Sequence, residues 1–264
     1  MGRICRVLGA PLAALALFCG ALSLTVSAES DTPVIPNDPY FGEQLGFYNP
    51  PGADSLRLSS RSNRRELIPV GDSLDHRIAE AWAITTGSAD VIIAVLDDGF
   101  PYTDPDIREN IWRNPGESGL DAAGIARESN GKDDDGNGYI DDVIGWDFVF
   151  DDPDPDGYAF DGKDVTRIAP YHHSAPALGI IGARGNNGIG VAGINWRVSL
   201  QLLKIGAQGE TNGGRAGRAA RAIRYAVDNG ARAINWSGFV SDTNSLGLDS
   251  LREAVAYADS AGVL

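Results

Sequence analysis

Residue types able to do chemistry concentrate at three places in this sequence. The first is Asp97-Asp98-Gly99, directly after the apolar run Val91-Ile92-Ile93-Ala94-Val95-Leu96. A carboxylate at the end of a buried strand is rigidly held, partly shielded from water and able to orient another group. The same letters also spell an ordinary Asp-Gly turn. The second place is His172-His173, two of only three histidines, which opens the helical run Ala177-Leu178-Gly179-Ile180-Ile181-Gly182-Ala183. An imidazole at a helix start beside small residues leaves room for a substrate and a nucleophile, and imidazole is the commonest general base. A surface histidine at a helix cap is the plain alternative. A metal pair is a third, although adjacent residues point in different directions and lack zinc-ligand spacing.

The third place is Asp133-Asp134-Asp135-Gly136-Asn137-Gly138-Tyr139-Ile140-Asp141. This run has the D-x-D-x-N-G start of an EF-hand-type loop, with ligands expected from Asp133, Asp135, Asn137, the Tyr139 carbonyl and Asp141. The twelfth position is Ile144 instead of Glu, so the loop is not a full EF-hand. Residues 133–164 hold twelve Asp, no Glu and one Lys, a density that either bound metal or full solvation must relieve. Calcium is the favoured reading; a solvated acidic loop is the other.

Elements must hold these groups in place. Val91–Leu96 reads as a fully buried parallel strand, with similar runs at Val143–Val149, Val198–Ile205 and Ala231–Trp236. Helices are expected at Ile78–Ile84, Ser174–Arg184, Arg215–Asp228 and Leu248–Ser260. Alternating strands and helices imply an α/β domain built on a largely parallel sheet. In such sheets chemistry sits just beyond the carboxyl ends of the strands, here Asp97, the residues after Ile205, and Ser237. No internal repeat is visible. Gly188-Ile189-Gly190-Val191-Ala192-Gly193 spells the dinucleotide fingerprint, but a helix precedes it and a strand follows, the reverse of what that fingerprint needs. Asn235-Trp236-Ser237 spells a glycosylation sequon at the end of a buried strand and carries no expectation.

Together the motifs resemble those of the subtilisin-like serine proteases, the subtilases. Asp97-Asp98-Gly99 is similar to the family's Asp-Ser/Thr-Gly, and His173-Ser174-Ala175-Pro176-Ala177-Leu178-Gly179 loosely resembles its His-Gly-Thr-His-Val-Ala-Gly. The six-residue step to Gly179 selects His173 over His172. Asn186–Gly193 resembles the family's calcium loop, and Ala233-Ile234-Asn235-Trp236-Ser237-Gly238 its substrate-lining strand. Order and intervals agree from about residue 77 to residue 264.

The resemblance implies a parallel-sheet, three-layer subtilisin-like fold, incomplete at the C-terminus, and hydrolysis of peptide bonds. His173 would be the general base and Asp97 its orienting carboxylate. Ser237 and Gly238 would pair with an extended polypeptide substrate. A calcium site would draw on the side chains of Asp106 and Asn187 and the carbonyls of Ile189 and Val191. No organic cofactor is implied. Asp98 replaces the family's hydroxyl residue, and Ser174-Ala175-Pro176 replaces Gly-Thr-His; proline is tolerated in a first helical turn. No Gly-Thr-Ser nucleophile motif or oxyanion Asn strand occurs in the 264 residues, so the chain as written is expected to be inactive, cut short within its catalytic domain. The alternative is a non-catalytic, subtilase-like protein that binds calcium or peptide. Cut there, the chain is expected to fold poorly on its own.

The remaining composition bounds the setting. Residues 1–28 carry Arg3 and Arg6, an apolar run from Leu8 to Val26 and the small-residue exit Val26-Ser27-Ala28, a cleavable secretory signal. Its removal takes both cysteines, Cys5 and Cys19, and moves the net charge from −14 to −16. An exported chain without cysteine draws stability from packing or bound metal. Residues 29–72, rich in Pro, Asn, Gly, Ser and Arg, read as a leader, linker or short pro-segment, and residues 73–264 as the N-terminal part of the catalytic domain. The acidic balance argues against nucleic acid as a partner, and no later run is long enough to span a membrane.

Overall fold

The computed structural model describes residues 32–49, 54–58, 65–69, 75–156, 159–160, 165–166, 173–206, 214–238 and 245–264. The expected signal at 1–28 and His172 lie outside these described residues. In chain order the strands are β1 (Asp54–Leu58), β2 (Arg65–Pro69), β3 (Gly87–Asp97), β4 (Gly145–Asp147), β5 (Ala159–Phe160), β6 (Val165–Thr166), β7 (Arg197–Lys204) and β8 (Ala233–Trp236). The helices are α1 (Ile78–Ala81), α2 (Ser174–Gly182), α3 (Arg215–Asp228) and α4 (Ser245–Ser260).

The central sheet has four strands in the order β4-β7-β3-β8, every pair parallel. Strand geometry sends alternate side chains to opposite faces. Ala94, Leu96 and Leu203 accordingly pack with Ala219, Ala222, Ile223 and Ala226 of α3 and Ala254 and Ala258 of α4. Val95, Leu200 and Leu202 face the other way, onto Leu178 of α2 with Phe100 and Ile107. Both sheet faces are therefore covered, which is why Val91–Leu96 reads as an unbroken apolar run and the other strands as largely apolar ones. The α/β parallel architecture is the one expected.

Element limits shift where local chemistry intervenes. β3 is longer than Val91–Leu96 because its exposed start pairs Gly87 with Arg197 across a register irregularity. β4 is only three residues long: the Asp147 carboxylate accepts the amides of Val149 (2.7 Å) and Phe150 (3.1 Å) and curls the chain off the sheet. At its start, Gly145 approaches the backbone of Leu202 so closely that a Cβ would collide with the Leu202 carbonyl. α3 matches its expected limits, whereas α1 stops at Ala81 and α2 at Gly182, after which Ala183 turns extended. Beside β8, the Leu264 amide donates to the Arg232 carbonyl and the Ile234 amide to the Leu264 carbonyl.

Residues 32–49 cross the expected boundary at residue 73. Phe41 and Phe47 pack on Trp82 and Ala79 in a third cluster that also holds Ala192 and Trp196. The Gln44 side chain bonds both the amide and the carbonyl of Ala192, each at 2.8 Å. This part of the segment belongs to the folded body.

Candidate functional site

Asp97 ends β3 at the carboxyl edge of the sheet, in register with Lys204 of β7, which is itself in register with Asp147 of β4. His173 immediately precedes α2. Two bonds clip these ends together. The buried Ser174 hydroxyl donates to the Gly99 carbonyl, and His173 Nδ1 lies 2.9 Å from Asp97 Oδ1 and 3.2 Å from Oδ2. The Asp98 amide adds a third contact, donating to Asp97 Oδ1 at 2.8 Å. An Nδ1–H given to the carboxylate leaves the lone pair on Nε2, the ring nitrogen turned away from Asp97. Asp97 is buried, its side chain 4% exposed, while that of His173 is 55% exposed. The hydrogen bond to Asp97 and then its charge raise the His173 pKa above the ordinary imidazole value. Burial, then the hydrogen bond and negative charge of Asp97, push Asp98 up to about 6.

Behind the pair sits an ion pair that the motif reading passed over. Lys204 Nζ lies 2.6 Å from Asp147 Oδ2, with both side chains essentially sealed from solvent. It also donates to the Asp156 carbonyl at 3.0 Å and stands 4.6 Å over the Phe150 ring. The Phe100 amide donates to the Pro155 carbonyl at 3.0 Å, so the acidic turn 151–156 is tied to the same sheet edge as Asp97. A lysine directly after the apolar pair Leu202-Leu203, inside a buried strand, is the sequence signal for this pair.

Two oxygen-rich sites lie elsewhere. Asp106, Asn187 and Val191 meet: Asp106 Oδ1 accepts the Asn187 side-chain amide at 3.0 Å and Oδ2 the Val191 amide at 2.9 Å. Asn187 Oδ1 accepts the Ile189 amide at 2.7 Å, closing the loop on itself. Burial raises the Asp106 pKa, and the nearby Asp38 charge raises it further. Asp38 itself is buried and accepts the Asn186 amide at 2.6 Å. Gly190 has φ +50°, and a Cβ there would strike the Asp106 carboxylate.

In the Asp-rich loop, Glu117, Asp133 and Asp135 converge, each offering one carboxylate oxygen within 4.8 Å of the others. Glu117 is 0% exposed. Its Oε1 accepts the amides of Asp134 (2.7 Å) and Asp135 (3.3 Å), while its buried Oε2 has no hydrogen-bond partner. Desolvation raises the Glu117 pKa. Asn137 joins the group, its side-chain amide 3.2 Å from Asp135 Oδ2. Asp141 stands to one side of this group. Its backbone is left-handed (φ +55°) and both its carboxylate oxygens accept the Gly131 amide at 3.1 Å, so it is not one of the converging carboxylates. Tyr139 packs its ring against Trp146, Phe148 and Tyr225, and its amide donates to Asn137 Oδ1 at 2.7 Å.

Against this geometry, the family model described as the subtilase family matches residues 88–264. The chain belongs to the subtilase family. It is 35% identical over 158 residues to Subtilisin-like protease 1 of Plasmodium berghei, covering 58% of this chain and 22% of that protein. It is 28% identical over 211 residues to the Halolysin-like extracellular serine protease Nep of Natrialba magadii, covering 80% of this chain and 27% of the relative. The chain thus spans about a quarter of the length of these relatives. Among solved structures, Aeromonas sobria serine protease in complex with its chaperone aligns with a TM-score of 0.53 at 20% identity, over 87% of this chain and 31% of that one, a likeness of fold.

In this subtilase, Ser237 and Gly238 follow β8 directly and are exposed, with the Asn235 side-chain amide 3.0 Å from Ser237 Oγ. The sequence reading missed Glu117, Asp38 and Gln44. Glu117 lies 16 residues before Asp133 and has no spacing pattern. Asp38 and Gln44 sat in a stretch read as leader. Among the described residues, no helix is long and apolar enough to cross a membrane.

Proposed function

We propose that Asp97 and His173 are the base half of a serine-peptidase active site acting on polypeptides. The observation that carries this reading is the 2.9 Å approach of His173 Nδ1 to the buried Asp97 carboxylate at the carboxyl edge of the parallel sheet. His173 takes the proton of a serine hydroxyl through Nε2; Asp97 fixes its tautomer and stabilises the imidazolium that forms. Ser237 and Gly238, beyond the end of β8, pair with an extended substrate backbone as an added strand would. Residues 1–264 contain no Gly-Thr-Ser motif. Loss of the serine alone removes most of the catalysis of such a triad, so this polypeptide by itself is expected not to hydrolyse peptides. Hydrolysis of a peptide by the purified chain, blocked by a serine-directed inhibitor, would overturn that expectation. For the pair itself, the test is acylation of His173 by diethyl pyrocarbonate, read residue by residue in mass spectrometry. The rate midpoint lies above that of free imidazole and falls in Asp97→Asn; equal midpoints would remove the pair.

Calcium is the proposed metal, in two places. At the first, Glu117, Asp133, Asp135 and Asn137 hold the ion, supported by an all-oxygen donor set and the orphaned buried Glu117 Oε2. At the second, Asp106 and Asn187 side chains and the Ile189 and Val191 carbonyls hold it, supported by two buried carboxylates, Asp106 and Asp38, at one loop. The ion supplies structural charge compensation, and the chain's residues orient the loops. We further propose export through the signal at residues 1–28, in keeping with the extracellular relative.

A further inference from the structure

The Asp97–His173 pair has a third member that the peptidase reading leaves idle. Asp98 stands beside it, and one oxygen of each of Asp97 and Asp98 and one ring nitrogen of His173 all lie within 4.8 Å of one another. Asp98 Oδ1 is sealed from solvent and has no hydrogen-bond partner. We propose that Asp97, Asp98 and His173 form a binding site for a borderline divalent cation of the zinc class, and that its occupancy switches the imidazole out of service as a base.

The donor set decides the class of ion. Two carboxylates and an imidazole suit zinc, whereas calcium and magnesium take oxygen alone. Zinc bonds of about 2.0–2.2 Å in a tetrahedron place ligand atoms about 3.4 Å apart, within the spread seen here, with water in the fourth position. Charge agrees with this. Two adjacent carboxylates face one imidazole, with Arg215 near enough to act on His173 and oppose its protonation. A divalent ion neutralises both carboxylates at once. Access is open, because the His173 side chain is 55% exposed although Asp97 beneath it is buried.

Inhibition follows from where the proton goes. His173 presents Nδ1 to Asp97. When zinc binds that nitrogen, the neutral ring releases its Nδ1 proton to solvent and takes one from solvent on Nε2, so its proton count is unchanged. The Nε2 lone pair needed to take a serine proton is then gone. This consequence rests on the proposed peptidase role of the pair; the binding itself does not.

The test is calorimetric titration of the full chain with zinc chloride in excess calcium, which fills the oxygen-only sites. It is paired with imidazole nitrogen NMR of His173. One zinc per chain is expected, with the His173 Nδ1 resonance displaced. Asp98→Asn weakens the affinity by about tenfold or more, and His173→Gln abolishes it. Asp98→Asn must leave the zinc-free fold intact, which the same NMR spectra report. An affinity unchanged by Asp98→Asn, or zinc held without displacement of His173 Nδ1, overturns the proposal. Failure of the peptidase reading registers separately, as an imidazole titration without zinc that ignores Asp97→Asn.

Discussion

Glu117→Gln separates a metal ligand from an ordinary buried acid, because the two predict opposite signs. The amide keeps an oxygen where Oε1 accepts the Asp134 and Asp135 amides, so those bonds at 2.7 and 3.3 Å survive. It also replaces the unpartnered, charged Oε2 with an NH2 group that can donate to the Asp133 or Asp135 carboxylate converging on it. In EDTA the variant is therefore expected to be more stable than the parent, by on the order of 1–3 kcal/mol, the usual cost of an unsatisfied buried polar group. Calcium shifts the balance back toward the parent. An ion at a hundred times its dissociation constant stabilises the parent by about 2.7 kcal/mol, which is roughly 5–11 °C in melting temperature for a domain of this size. Most of that shift disappears in the variant. Thermal melts of both proteins in EDTA and in calcium read all four corners. The reasoning is refuted if calcium raises both melting temperatures equally, or if the variant is the less stable protein in EDTA.

Other perturbations probe other parts. Lys204→Met leaves the sealed Asp147 carboxylate without its partner at 2.6 Å and is expected to cost about 3–5 kcal/mol in urea unfolding; adding Asp147→Asn restores much of this. Gly190→Ala puts a Cβ against the Asp106 carboxylate at φ +50° and is expected to lower the melting temperature by the equivalent of about 1–3 kcal/mol. Ser174→Ala orphans the Gly99 carbonyl at the start of α2 and is expected to cost about 1–3 kcal/mol, with hydrogen exchange accelerating first in α2.

The central architecture was legible because burial on both sheet faces writes itself as apolar runs. Val91–Leu96 and Val198–Ile205 mark β3 and β7, and Arg215–Asp228 coincides with α3, bounded by Gly214 and the Asn229-Gly230 stop. Limits failed where a side chain redirects the backbone. Asp147 caps the amides that would have extended β4 to Val149. In the candidate site, Asp97 and His173 were readable because each stands at the end of a recognisable element, although 76 residues separate them. Glu117 was not, since its partners come from a distant turn and its buried oxygen leaves no trace in spacing. Asp38 and Gln44 were passed over because a Pro- and Asn-rich stretch looks like linker even where it packs.

The central claim is the working pair of His173 and Asp97, and its most direct measurement is the pH titration of the His173 ring by NMR in parent and Asp97→Asn proteins. The parent is expected to titrate above free imidazole, held there chiefly by the hydrogen bond to Asp97. Its Nδ1 proton stays on the carboxylate side and its lone pair on Nε2. The linked stability is full below the ordinary imidazole value near 6.5 and is lost as pH rises through the raised one. Asp97→Asn lowers the titration and removes that pH dependence. A His173 ring that titrates like free imidazole in the parent, unmoved by Asp97→Asn, would contradict the account.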